Sequence, residues 1–398
     1  MSANTYTVPR FSPEKSSFGK LFARDSVVRR MDWVLLFTTL ALCAIGTMLV
    51  YSATRNRTNL THGDQYYFLI RHVMNAGIGF GLAIGAMAIG HHRMRTIVPF
   101  FYVLSILGIL AVLSPLGSTI NGAHSWIVIG GGFSLQPSEF VKVAIIIGMA
   151  MVLSAQVDAG DKLHPDRRTV LQSLSLAAVP VGIIMLMPDL GSVMVLAAIV
   201  LGVLLASGAS ARWVLGLIGT GFLGALLVWK LGILDKYQID RFAAFANPAL
   251  DPAGVGYNTS QARIAIGSGG LLGKGLFHGS QTTGQFVPEQ QTDFVFSVAG
   301  EELGFVGAML IVTLIGIILW RACSIARNAT DLYGTIVAAG IVAWFSFQSF
   351  ENIGMTLGIM PVAGIPLPFV SYGGSSMFAN FIAIGLLESV KMKRTMSA

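Results

Sequence analysis

The stretch "DWVLLFTTLALCAIGTMLVY" occupies residues 32–51 and carries a single charge, at its first position. As a helix it reaches about 30 Å, the thickness of a bilayer's hydrocarbon layer. Its apolar residues fall all round the helix and not along one stripe, so lipid, not water, is the solvent it meets. The pattern recurs along the chain. Hydrophobic residues make up 54% of the 398 and charged residues only 11%, with a mean hydropathy of +0.70. Runs of this kind lie at 32–51, 67–90, 97–113, 138–154, 170–187, 190–206, 212–230, 294–320, 333–351 and 373–390. They predict an all-α polytopic membrane protein of about ten transmembrane helices.

Charge placement orients it. Seventeen of the 26 Lys and Arg residues fall in the two tails, or between alternate runs or at their edge, among them Arg93, Arg95, Arg167, Arg168, Arg321 and Arg327. By the positive-inside rule both termini are cytoplasmic. The basic balance therefore matches anionic lipid headgroups and not nucleic acid. Cys43 and Cys323 lie in or near runs at the inner side, which predicts neither a disulfide nor a metal site. Residues 1–30 read as a disordered cytoplasmic tail, 31–390 as one membrane domain and 391–398 as a short cytoplasmic tail.

Polar residues concentrate in a few places, all on the outer side of this topology. The longest connection, 232–293 between the seventh and eighth runs, mixes Gly, aromatic, acidic and basic residues as a spacer would not need to. It ends in "VPEQQTDFVFSVAGEELG" (287–304), with Glu289, Asp293, Glu301 and Glu302 in a chain otherwise poor in charge. A carboxylate is costly in lipid, so each needs water, a partner or a task. Glu301 and Glu302 lie about 12 Å beyond Asp293 along a regular helix, and neighbours on a helix point about 100° apart. They read as structural support for a cavity. Asp293 reads either as an N-cap or as a working acid.

A second concentration, "NGAHSWIVIGGGFSLQPSEFVK" (121–142), puts Pro137 at a helix start and sets Glu139 and Lys142 on one helix face. They form either an internal ion pair or a substrate contact. A third, "ENIGMTLGIMPVAGIPLPFVSYGGSS" (351–376), holds Pro361, Pro366 and Pro368, which forbid a regular helix. Such backbone survives at membrane depth only inside protein or beside a wet cavity. Ser371, Gly373 and Gly374 then offer either a tight turn or a cradle of amides for an anion. Asp189 in "MPDLGS" reads as a helix N-cap.

Taken together, "NGAHSWI…QPSEFVK", "MPDLGS", "IAIGSGGLLGKG", "PEQQTDFVFSVAGEELG" and "GIMPVAGIPLPFVSYGGSS" resemble the SEDS family (shape, elongation, division, sporulation) from about Met31 to Val390. The resemblance implies a ten-helix membrane enzyme that polymerises lipid II into peptidoglycan glycan strands outside the bacterial cytoplasmic membrane. It also implies a class B penicillin-binding protein as transpeptidase partner, with other elongation-complex proteins around it. Val362–Ala363, where division relatives often carry a Thr-Lys pair, resembles the RodA-like elongation branch; an FtsW-like division polymerase and a lipid II flippase are the alternatives. His124–Ser125 departs from relatives that carry a basic residue before the tryptophan.

For that chemistry the resemblance makes Asp293 the general base. Arg241, Arg263, Lys274 and Lys142 are expected to hold a diphosphate, since Arg grips phosphate bidentately and Lys supplies a point charge. Glu139, Glu289, Ser371, Gly373 and Gly374 are candidate substrate contacts. The histidines have no ligand spacing, so no protein metal site is predicted; Mg2+ or Mn2+ between Asp293 and the diphosphate is compatible with the sequence and not required by it.

Overall fold

The computed structural model describes residues 30–57, 63–120, 123–130, 133–187, 189–232, 239, 241, 245 and 254–397. Residues 1–29 of the proposed tail 1–30, and most of 233–253, lie outside them. In chain order the helices are α1 (Trp33–Thr54), α2 (Tyr67–Val112), α3 (Pro137–Asp158), α4 (Arg167–Met185), α5 (Leu190–Ala206), α6 (Ala211–Lys230), α7 (Val255–Gly269), α8 (Ser280–Thr283), α9 (Val295–Glu302), α10 (Gly304–Arg327), α11 (Leu332–Leu357) and α12 (Gly374–Ser397). Between α2 and α3 stand three short antiparallel strands, β1 (Gly117–Ile120), β2 (Ala123–Gly130) and β3 (Phe133–Leu135), in the order β1-β2-β3. The helical reading of the sequence omits them.

Local chemistry explains the helix starts. Four aspartates cap the first turns of long helices: Asp32 accepts from the Leu35 amide at 3.2 Å, Asp166 from Thr169 at 2.8 Å, Asp189 from Ser192 at 3.0 Å and Asp331 from Gly334 at 3.1 Å. Asp32 also binds Arg321 and Lys391, while its own amide donates to Glu388 at 2.9 Å. That knot ties α1, α10 and α12 at one end of the bundle. Burial pushes the Asp32 carboxyl up, but the hydrogen bonds from Arg321 and Lys391 outweigh it, and the net shift is downward. Gly90, at φ 73°, breaks α2 into two spanning halves.

The expected ten spans are corrected to seven. Among the described residues, Trp33–Thr54, Tyr67–Gly90, Arg93–Val112, Pro137–Asp158, Arg167–Met185, Gly304–Arg327 and Leu332–Leu357 are long and apolar enough to cross a membrane. Leu190–Ala206 has 17 residues, about 26 Å of helix against about 30 Å of hydrocarbon. The apolar part of α6 stops at Leu227. The helix Gly374–Ser397 carries Glu388, Lys391, Lys393 and Arg394 in its second half. The run read at 294–320 is also two helices, because the chain turns at Gly304 (φ 68°). There residues 270–275 supply the backbone partners a broken helix needs: Phe305 donates to the Gly270 carbonyl at 2.9 Å, and Lys274 and Gly275 donate to the Glu301 and Glu302 carbonyls at 3.0 and 3.1 Å. This remains a multi-pass membrane protein.

The bundle's interior is built from α3, α11 and α12, whose faces are mostly buried. These are the helices with the most polar side chains at depth, and such residues cannot face lipid. By contrast α6 packs on α5 and leaves Leu215, Phe222 and Leu223 exposed, as a lipid-facing helix does. Across the middle, α1 passes over the chain just before α12. A Cβ on Gly46 would lie 2.5 Å from the Val370 carbonyl oxygen and 2.6 Å from its Cα, so no side chain fits.

Gly46→Ala should therefore destabilise the protein by about 1–3 kcal/mol through overpacking, seen as a lower melting temperature in detergent. Gly77→Ala, on the lipid-facing side with no atom within 4 Å of the new Cβ, should show no such loss.

Candidate active site

The turn before α9 fixes the candidate acid. Glu289 adopts φ 48°, and its carbonyl then receives the amides of Thr292, Asp293 and Phe294 at 3.2, 3.1 and 3.2 Å. Phe294 is buried with Ala262, Ala265, Val287, Met355 and Val362, which pins the end of the turn. The N-cap residue of α9 is Phe294, and no side chain caps that helix. The cap reading of Asp293 is thus excluded, and its side chain turns instead into a cavity of about 260 Å³.

That cavity collects distant parts of the chain. Phe68 and Asn75 of α2, Trp126 and Phe133 of the sheet, Gln136, Asp189, Arg241, residues 289 and 291–293, 363–364, 366 and 372–376 line it. Its chemistry centres on Gly364. A Cβ there would sit 3.6 Å from both Arg241 Nη2 and Asp293 Oδ2, so cation and acid flank one glycine with φ 71°. Arg241 also donates from Nη1 to the Ala363 carbonyl at 3.3 Å. Burial raises the Asp293 carboxyl to about 7; the nearby Glu289 carboxylate adds to the rise and Arg241 opposes it. A carboxyl poised there exchanges protons near neutral pH, as a general base must.

The remaining sequence candidates divide. Glu289 lines the cavity, its Oε2 accepting from Gln291 Nε2 at 3.3 Å and Thr292 Oγ1 at 3.2 Å. Asp189 does both jobs, capping α5 and facing the cavity. Gly373 and Gly374 lie at the cavity where α12 begins, so its first turn points amides toward it. Ser371 stands behind them, its hydroxyl accepting from the Leu367 amide at 2.8 Å.

Four cationic or acidic candidates stand elsewhere. Lys142 is fully buried, 2.8 Å from Glu139 and 2.9 Å from Gln348 Oε1, with its ammonium 5.2 Å from the Trp344 ring centre. Neither it nor Glu139 lines the cavity; this is the internal ion pair. Arg263 is exposed on α7 beside Gly358. Lys274 pairs with Glu301 at 2.9 Å.

Each of the deeper acids binds a neighbouring segment. Glu301 accepts from the Gln281 and Thr282 amides and the Thr282 hydroxyl, each at 2.8 Å. Glu302 accepts from Ser52 of α1 at 2.5 Å. The sequence reading missed Asn75, Trp126, Gln136, Gln291 and Tyr372. Asn75 had a signal, an amide inside a mostly apolar run; the rest depend on where the sheet and the Tyr372-to-Gln291 backbone bond (2.9 Å) place them. Among the described residues no group of three or more His, Cys, Asp or Glu could hold a metal ion.

A family model described as "Cell cycle protein", covering FtsW, RodA and SpoVE, matches residues 33–396. Stage V sporulation protein E of Bacillus subtilis is 39% identical over 363 residues, covering 90% of this chain and 96% of that protein. A probable peptidoglycan glycosyltransferase FtsW of Trichlorobacter lovleyi is 35% identical over 360 residues, covering 90% and 92%. Among solved structures, one of a peptidoglycan synthase complex that coordinates polymerization and crosslinking shares 29% identity at TM-score 0.75, over 92% of this chain and 98% of that one. The rod shape determining protein RodA of Thermus thermophilus shares 30% at TM-score 0.66, over 92% and 97%. The chain belongs to this SEDS family.

Glu301→Ala leaves the first turn of α8 and Lys274 without their shared acceptor. It should cost about 1–3 kcal/mol, the range for leaving buried donors such as the Thr282 amide without an acceptor, and hydrogen exchange at residues 280–283 should quicken well beyond that of α10.

Proposed function

We propose that this chain is a peptidoglycan glycosyltransferase that joins lipid II units, with Asp293 as general base. The observation that carries the reading is the pairing of Asp293 and Arg241 across Gly364 in one cavity. An acceptor sugar hydroxyl attacks the donor's anomeric carbon; its proton passes to the Asp293 carboxylate, and the bond to the diphosphate breaks with its electron pair leaving on oxygen. Taking the proton as the new bond forms contributes roughly 10²–10⁴-fold. Arg241 and the opening amides of α12 meet the charge that develops on the leaving group. Phe68, Trp126, Phe133 and Tyr372 give the sugar ring apolar faces. Arg263, Lys274 and Lys142 take no part in this account, because each points elsewhere.

A class B penicillin-binding protein as crosslinking partner is supported by the likeness to the synthase complex. For the biological role, the curated relatives favour the division and sporulation side. SpoVE and FtsW proteins reach 39% and 36% identity over some 360 residues, whereas the RodA structure reaches 30%. The Val362–Ala363 pair points to elongation, but two positions weigh less than the whole alignment. An FtsW-like or SpoVE-like polymerase is the better reading.

Purified lipid II, with the partner transpeptidase bound and its active site blocked, supplies the test. Wild type should make polymer, and Asp293→Asn, equally folded and equally bound, should lose at least 100-fold in kcat. Equal polymer from both would remove Asp293 as the base. No polymer from wild type would leave the flippase standing. Because the acid form of Asp293 cannot accept the proton, kcat/KM should fall tenfold per pH unit below about 7 and level off above it.

A further inference from the structure

Residues 363–366 of the proline-bearing segment between α11 and α12 make no backbone bonds with one another, and three of their four carbonyls are taken up by side chains. Ala363 accepts from Arg241 Nη1 at 3.3 Å, Ile365 from Asn352 Nδ2 at 2.8 Å and Pro366 from Gln348 Nε2 at 2.7 Å. Asn352 spends its second amide hydrogen on the carbonyl of Asp293, also at 2.8 Å. Both amides are fully buried, and they sit one turn apart on α11. Their orientation is not arbitrary. Gln348 Oε1 accepts from Lys142 at 2.9 Å and from Trp344 Nε1 at 2.6 Å, which leaves its NH₂ for Pro366. Asn352 faces two carbonyls and so must present its NH₂ to both.

We propose that Asn352 is a positioning residue for the reaction: it locks the backbone of Asp293 to the strap 363–366, and the strap in turn holds Arg241, so that the spacing of base and cation is set by one buried amide. Gln348 anchors the far end of the strap and connects it to the Glu139–Lys142 pair. That gives the buried pair a task the substrate-contact reading did not: Lys142 fixes Gln348, and Gln348 fixes Pro366. Gly364 makes the geometry possible, since its positive φ turns the Ala363 and Ile365 carbonyls to different partners. Small misplacements matter here, because about 1 Å at a catalytic group can cost about 100-fold in rate.

The inference rests on the proposed polymerase reading, and the experiment separates the two. Asn352→Leu keeps the number of side-chain heavy atoms and removes both donors. Polymerisation kinetics should show kcat reduced 10- to 100-fold with KM within threefold. The acid limb of the pH profile should also move to lower pH, as the turn relaxes and Asp293 meets more water. Glu289 and Thr292 on its own turn, Arg241, and Asp189 at the start of α5 face Asp293; all stay in the variant, so the limb reports position.

Gln348→Leu, which releases Pro366 together with Lys142 and Trp344 but leaves both Asn352 bonds in place, should lower kcat at least threefold at unchanged KM, and serves if Asn352→Leu fails to fold. A folded Asn352→Leu with lower melting temperature but wild-type kcat and pH limb would overturn the proposal, as would unchanged kcat in Gln348→Leu. Asp293→Asn runs alongside: wild-type rates there would sink the base assignment itself, and the positioning role with it.

Discussion

A backbone carbonyl at membrane depth has no water to turn to. Each one that leaves a helix must find a donor within the protein, or the segment cannot exist there. Two of the places where this chain breaks its helices show how such donors are found. At the break between α9 and α10 the partners are other backbone groups, from residues 270–275. At 363–366 they are Arg241, Asn352 and Gln348. The second solution has a by-product: side chains recruited to satisfy the backbone converge on the candidate acid.

The same constraint explains which helices lie inside. Lys142, Glu139, Gln348 and Asn352 force α3 and α11 toward the middle, where they partner one another. With so little hydrophobic difference between lipid and helix surface, close packing and such bonds hold the bundle. Glycines without room for a Cβ, Gly46 against Val370 above all, let the backbones approach.

Much of this was legible in the sequence, and its limits have physical causes. The membrane class followed from runs apolar all round, and Asp293, Glu289, Arg241 and the glycines before α12 do share a cavity. The count of spans did not follow, because an apolar run records hydrophobicity and not reach: 190–206 is too short, and 373–390 belongs to a helix that ends in charges. The break at Gly304 was invisible since its partners lie 30 residues upstream. Lys142 looked like a phosphate ligand because charge at depth signals function, but sequence spacing cannot tell a cavity wall from a partner on the next helix. The sheet at 117–135 was hidden in a Gly-rich polar stretch, and with it Trp126.

The size of the cavity has one more consequence. Its roughly 260 Å³ lies just below the range of about 300–1,000 Å³ that sites for drug-sized ligands occupy. A disaccharide bearing a peptide stem and a polyprenyl tail is many times larger. Stem and tail must hang outside, the one into the aqueous space and the other along the bundle's greasy flank. Among the described residues, those lining the cavity around Asp293 then meet the sugar and the diphosphate and not the stem. Cells could amidate, truncate or branch their stem peptides without retuning this wall-building step, and the discrimination among stems would fall to whatever crosslinks them.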